Sequence, residues 1–209
     1  MIDSGIVQQT GQGQLRFWHY TFEEHYAGVS LADKYDGDEA DGWWARIVDH
    51  LDDGQWDEVL DHFAGYLAKR GRKRLHLLVE RILKTAKADD LPSFSQAVGV
   101  LGRLLKILEV YDYQPPERLG WEDARQQVMA IFTEAGAKVV SAHHRIAAAE
   151  ALGQSGDARF LTVEPEMLPV PGLEGVLLGR YPVVVTQFLR FIKEGGYSDR
   201  QFWGEDWSF

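Results

Sequence analysis

Apolar positions recur along the middle of the chain at the spacing of one helix face. Trp56, Val59, Leu60, Phe63, Tyr66 and Leu67 form the first such set, because residues three and four apart share a side of an α-helix. After the breaker Gly71, Leu75, Leu78, Val79 and Ile82 repeat the pattern. Phe94, Val98, Leu101, Leu105 and Leu108 follow a Pro92-Ser93 start signal. Beyond Pro115-Pro116, Trp121, Ala124, Val128, Ile131 and Phe132 predict one helix ending at Gly136. A fifth is predicted from about Ala142 to Leu152, stopping at Gly153. Five amphipathic helices with short connections predict a mainly α fold built as a helical repeat or bundle.

After Phe160 the pattern changes. Pro165, Pro169 and Pro171 fall close together, which excludes a helix and favours extended or turn-rich backbone. Gly179-Arg180-Tyr181-Pro182 predicts another turn, and Val185, Phe188, Leu189 and Ile192 a further helix ending at Gly195-Gly196. A boundary is expected near Gly156–Phe160. The start, and the aromatic end Trp207-Ser208-Phe209, read as a segment of a longer protein.

Composition narrows the function classes. An apolar content of 45% is enough for a folded core. Twenty-two basic residues against 32 acidic ones leave a net charge of −10, and so disfavour nucleic acid, whose binders carry a basic face. The absence of cysteine removes disulfides, thiolate metal sites and cysteine nucleophiles and fits a reducing cytoplasm. With no secretory signal pattern and no run near the roughly 18 apolar residues of a membrane span, a cytoplasmic chain without a membrane partner is expected.

Three stretches carry candidate chemistry. The first is Phe17-Trp18-His19-Tyr20-Thr21-Phe22-Glu23-Glu24-His25-Tyr26-Ala27-Gly28, a strand end feeding a helix with Thr21 as N-cap and Glu24 completing a capping box. It resembles the last helix of the winged-helix subdomain of NACHT-type STAND ATPases, with the pattern Phe-x-His-x-x-Phe-Gln-Glu-Tyr-x-Ala-Ala. The departures are Glu23, His25 and Gly28. The resemblance implies that His19 contacts the phosphates of bound ADP, given an ATPase core. No Gly-x-x-x-x-Gly-Lys-Ser/Thr loop occurs in this sequence, so no phosphate cradle is present.

The second, Arg145-Ile146-Ala147-Ala148-Ala149-Glu150-Ala151-Leu152-Gly153-Gln154-Ser155-Gly156-Asp157-Ala158-Arg159, has small alanines that let helices approach closely. It looks like the second half of a HEAT-type repeat, and earlier helices must supply the other layers.

The third, Leu178-Gly179-Arg180-Tyr181-Pro182-Val183-Val184-Val185-Thr186-Gln187-Phe188, runs on to Gly195-Gly196-Tyr197 and Phe202-Trp203. It is similar to the opening of the sulfatase-modifying-factor (formylglycine-generating enzyme-like) domain, with Val184 where that family prefers threonine. Catalysis in that family rests on copper-binding cysteines, and this chain has none. The resemblance therefore implies a ligand-recognition fold.

Together these give residues 1–36 as a winged-helix remnant, 37–158 as a helical repeat arm ending in a HEAT-like repeat, and 159–209 as a truncated α+β segment. The expected role is a non-catalytic sensor or scaffold within a larger NTPase-switch protein, recognising protein partners or the rest of its own parent chain. The alternative is a piece of a formylglycine-generating type enzyme. No catalytic residue, cofactor or metal site is expected. His143-His144 are read as surface residues because neighbours on a helix point about 100° apart. The run Asp33, Asp36, Asp38, Glu39, Asp41 is read as a charged connection, and Lys69-Arg70-Gly71-Arg72-Lys73-Arg74 as cations complementing a helix C-terminus. Trp43 and Trp44 cannot both lie on one narrow buried stripe, which places one at an inter-domain contact.

Overall fold

A computed structural model describes residues 5–9, 11, 13–34, 42–87, 89–160 and 165–203. The fold is mainly α, with two small two-stranded sheets among the described residues. It divides into two compact units, residues 1–155 and 156–209. None of the described helices is long and apolar enough to cross a membrane.

The first unit opens with an antiparallel hairpin. Strand β1 (Val7–Gln9) pairs with β2 (Leu15–Phe17) in the register Val7 to Phe17 and Gln9 to Leu15. Helix α1 (Tyr20–Lys34) follows directly. Thr21 lies inside its first turn, and the capping position belongs to His19. The Thr21 N–H donates to His19 Nδ1 at 3.2 Å, and the Phe22 N–H to the His19 carbonyl at 3.1 Å. The imidazole nitrogen satisfies an orphan amide in the way an Asn or Asp side chain would.

Helix α2 (Gly42–Ile47) leads through 3₁₀ turns at Val48–His50 and Gly54–Trp56 into α3 (Asp57–Arg70) and α4 (Arg72–Leu83). Trp43 is buried, while Trp44 is half-buried against the same core. The longest helix, α5 (Leu91–Leu108), starts from Asp90, whose carboxylate accepts the Ser93 N–H at 3.3 Å. Pro92 sits in the first turn, where its missing N–H costs nothing. Around α5 pack α3, α4, α6 (Trp121–Val128) and α8 (Ala142–Ser155). Val98, Leu101, Leu104 and Leu108 of α5 are all buried in the core of this unit.

Two helix ends differ from the sequence expectation. The apolar set from Trp121 to Phe132 does not form one helix. Helix α6 ends at Val128, a 3₁₀ turn spans Met129–Phe132, and a separate helix α7 (Glu134–Val139) begins beyond Thr133. Thr133 Oγ1 accepts the Gly136 N–H at 3.0 Å, so Gly136 lies within α7. There a Cβ would come 2.1 Å from the Ala130 carbonyl oxygen, so the glycine serves close packing. Gly153 likewise stays helical. Helix α8 runs to Ser155, and Gly156, at φ +89°, is the residue that follows it.

In the second unit, β3 (Met167–Pro169) pairs antiparallel with β4 (Leu177–Gly179), in the register Leu168 to Leu178. Helix α9 (Val185–Lys193) follows. Val184 occupies its N-cap position and offers no side-chain acceptor. The Val184 N–H instead donates to Gln187 Oε1 at 3.3 Å. Threonine at this position, as in the resembled family, would add the acceptor that valine lacks.

Candidate functional site

His19 is exposed at the start of α1. Its Nδ1 receives the Thr21 N–H and lies 2.9 Å from Thr21 Oγ1. That commits one ring nitrogen to the cap, so a phosphate would have to be met through Nε2. Two of the departures in this stretch have a packing cause. His25 Nε2 lies 3.3 Å from the Tyr66 hydroxyl, and its ring lies 5.1 Å from that of His62 on α3. At Gly28 a Cβ would come 2.7 Å from His62 Cβ. Both positions serve the crossing of α1 over α3.

The basic cluster closes helix ends. Arg70 Nη1 donates to the Ala32 carbonyl at 2.6 Å near the end of α1 and pairs with Asp33, and Arg74 Nη1 donates to the Arg70 carbonyl at 3.0 Å. Arg72 reaches the Asp112 carbonyl at 3.1 Å. Of the acidic run only Asp33 lies among the described residues; Asp36, Asp38, Glu39 and Asp41 fall outside them.

The alanine-rich stretch from Arg145 supplies most of α8, whose face toward α5 is made of small residues. A Cβ on Gly102 would lie 2.0 Å from Ala151 Cβ, and one on Gly99 would lie 2.8 Å from Ala147 Cβ. Two clefts flank this contact. One, of about 450 Å³, is lined by Lys106, Glu109, Tyr113, Trp121, Glu122 and Arg125 among others. The Tyr113 hydroxyl there is held well above its usual pKa by burial, against the opposing pull of Arg118 and Arg72.

The second cleft, of about 370 Å³, includes Asp52, Asp57, Arg103, His143 and Glu150 in its lining. Arg103 lies between two carboxylates. It pairs with Asp61, places Nη2 3.1 Å from Asp57 Oδ1, and donates from Nη1 to the Asp57 carbonyl at 2.8 Å. Burial pushes the Asp61 carboxyl up to about 6; Arg103 opposes the shift and the neighbouring Glu58 and Asp57 reinforce it. A carboxyl with a raised folded-state pKa binds its proton longer in the native state than in the unfolded chain. Its contribution to stability is therefore complete below the unfolded value of about 4 and is lost as pH rises through about 6. Asp61→Asn is expected to flatten the fall of melting temperature as pH rises through that window, measured by thermal unfolding from pH 4 to 7.

His143 is a surface residue, its side chain 75% exposed, and His144 is partly buried at 21%, yet the two rings do not point apart. Their rings lie 5.5 Å apart, and both reach one carboxylate: His144 Nε2 is 2.7 Å from Asp52 Oδ2, and His143 Nε2 is 3.3 Å from Asp52 Oδ1. The 100° rule describes where Cβ vectors leave a helix. It does not constrain two long rings that bend toward a group near the helix start. Nothing in the sequence pattern near Asp52, 92 residues from His144, signals this convergence, and only the fold reveals it.

The second unit carries its apolar residues on the outside. No apolar side chain among its described residues is buried, and Leu178 and Val185 are 67% and 73% exposed. On α9 Val185, Phe188, Leu189 and Ile192 are exposed together. Behind them the Gly-Gly-Tyr and Phe-Trp phrases form an aromatic cluster. Tyr197 stacks on Trp203 at 5.5 Å, Phe191 meets Tyr197 edge-on at 5.8 Å, and Trp203 Nε1 donates to the Gly196 carbonyl at 2.9 Å. At the head of this unit Asp157 is buried. Burial disfavours its ionisation, but hydrogen bonds from the Arg159 side chain and N–H outweigh that and hold its carboxyl below the usual range.

Comparison of the chain with models of protein families, with curated proteins and with solved structures gives no match.

Proposed function

We propose that this chain is a non-catalytic sensor or scaffold segment of a larger NTPase-switch protein, and that it works by recognising a protein or ligand. The observation that carries the reading is the exposed apolar face of α9 and the β3–β4 hairpin. Along α9 the exposed Val185, Phe188, Leu189 and Ile192 fall on one helix face, and an exposed apolar face is characteristic of binding regions. The three resembled motifs support the same assignment: a winged-helix remnant at 1–36, a HEAT-like arm at 37–158 and a recognition segment at 159–209. Within the switch, His19 of a complete ATPase module contacts ADP phosphate through Nε2, beside the positive end of α1. The cytoplasm is the proposed compartment.

The test uses the full parent protein. His19→Ala is expected to weaken ADP retention about tenfold, the worth of one hydrogen bond to a charged group. Phe188→Asp is expected to leave ADP retention unchanged and to abolish the response to the sensed partner. Unaltered ADP affinity in His19→Ala overturns the nucleotide-switch part. A normal partner response in Phe188→Asp overturns recognition through α9.

A further inference from the structure

We propose that Asp52, His143 and His144 form a binding site for a divalent first-row transition metal, with zinc as the best-matched ion, at the rim of the cleft beside α5 and α8. One ligand atom from each residue lies within 4.8 Å of the other two. An ion held about 2.0–2.2 Å from each donor needs ligand atoms roughly 3–3.5 Å apart. The two Asp52–histidine separations, 2.7 Å from His144 to Oδ2 and 3.3 Å from His143 to Oδ1, lie close to the lower end of that range, one on each carboxylate oxygen. With the proton of each ring on Nδ1, both Nε2 atoms present lone pairs to the same region as the carboxylate.

The donors are held on two separately fixed pieces of backbone. On one side, Leu51 is buried, the Asp53 N–H donates to the His50 carbonyl at 3.2 Å, and the Trp56 N–H donates to the Asp53 carbonyl at 2.7 Å. Asp53 Oδ1 also accepts the Gln55 N–H at 3.0 Å, and the His50 and Trp56 rings stack at 3.9 Å. On the other side, Ser141 Oγ accepts the His144 N–H at 3.2 Å and sets the first turn of α8. Asp52 therefore projects from a constrained turn toward two rings whose helix start is itself capped.

Donor type selects the ion. Two imidazoles and one carboxylate match zinc and its borderline neighbours, whereas magnesium and calcium require an oxygen-rich set. Three protein ligands leave the fourth tetrahedral position to water. The ion would tie the Leu51–Asp53 turn to the start of α8, joining segments that are remote in sequence.

The experiment uses the full chain, freed of any affinity tag and stripped with chelator, titrated with zinc chloride by calorimetry and followed by thermal unfolding. One equivalent is expected to bind. Zinc at a hundredfold excess over its dissociation constant is expected to raise the melting temperature by about 5–10 °C, and magnesium by none. His144→Ala and Asp52→Asn are each expected to weaken zinc binding at least about tenfold. His25→Ala, at the other histidine pair, leaves it unchanged. Circular dichroism checks that each variant is folded, and His143→Ala, at a 75% exposed side chain, is the variant least able to disturb packing. Zinc binding that is equal in wild type and all three site variants, or that is lost with His25→Ala, means adventitious ions only and overturns the site. So does a chain that zinc fails to stabilise.

Discussion

Gly102→Val is expected to cost at least about 3 kcal/mol of unfolding free energy and to lower the melting temperature of the first unit by about 6–12 °C. The reason is the contact between α5 and α8. A Cβ at Gly102 would sit 2.0 Å from Ala151 Cβ and 2.6 Å from Ala151 Cα, so the obstruction is backbone that cannot rotate away. Relief requires α8 to move outward as a body, which uncovers Leu101 and Leu104 on one side and Ala148 and Leu152 on the other, all now buried. Overpacking of this kind costs about 1–3 kcal/mol where neighbouring side chains can yield, and more where they cannot. Removing a helical glycine returns no more than about 1 kcal/mol. Chemical denaturation followed by circular dichroism measures the balance. The double variant Gly102→Ala with Ala151→Gly tests the cause, since restoring the space should recover most of the loss in Gly102→Ala alone. A Gly102→Val chain that melts within 2 °C of wild type, on the scale of about 2–4 °C per kcal/mol, would rule out the close contact.

Phe63→Ala is expected to destabilise by about 3–5 kcal/mol, the range for deleting a buried aromatic ring. Phe63 is fully buried on α3, and its ring lies 5.7 Å from that of Trp43 on α2. Its backbone nitrogen lies where α1 crosses, 2.9 Å from the position a Cβ on Gly28 would take. The cavity left by alanine therefore opens where α1, α2 and α3 come together. Phe63→Leu, which keeps most of the volume, is expected to recover more than half of the loss. Trp43 reports the event by its fluorescence. Equal losses for alanine and leucine would show that volume is not what this position supplies.

Both predictions concern positions whose type, though not whose role, was visible in the sequence. Phe63 was placed on an apolar stripe by its 3–4 residue spacing, and α3, α4 and α5 emerge close to where that spacing puts them. Gly102 carried no such mark, because a glycine inside an apolar run has no side chain to count. The continuous apolar set from Trp121 to Phe132 was misleading for a related reason. Periodicity marks apolar spacing and is blind to a 3₁₀ turn such as Met129–Phe132, which buries Ile131 but leaves Phe132 exposed. The motif marks His19, but its ring as the cap of α1 is not legible in the sequence, since imidazole is not among the usual capping groups. In the second unit the patterning correctly separated turn-rich backbone from α9. It gave no sign that the stripe of α9 is exposed, because an amphipathic helix has the same pattern with its apolar face covered or open.

What the sequence determined by itself is the local chemistry: apolar spacing sets helix faces, proline and glycine set breaks, and the absence of cysteine removes whole classes of site. These are properties of neighbouring residues, and short-range backbone geometry is enough to express them. The tertiary structure decided which distant groups meet. Asp52 facing His143 and His144, Arg103 between Asp57 and Asp61, and Gly102 against Ala151 all join residues more than 40 positions apart. Their proximity comes from how complete helices pack around α5, and helix packing depends on side-chain shape across two surfaces at once. No window along one strand of sequence contains both surfaces.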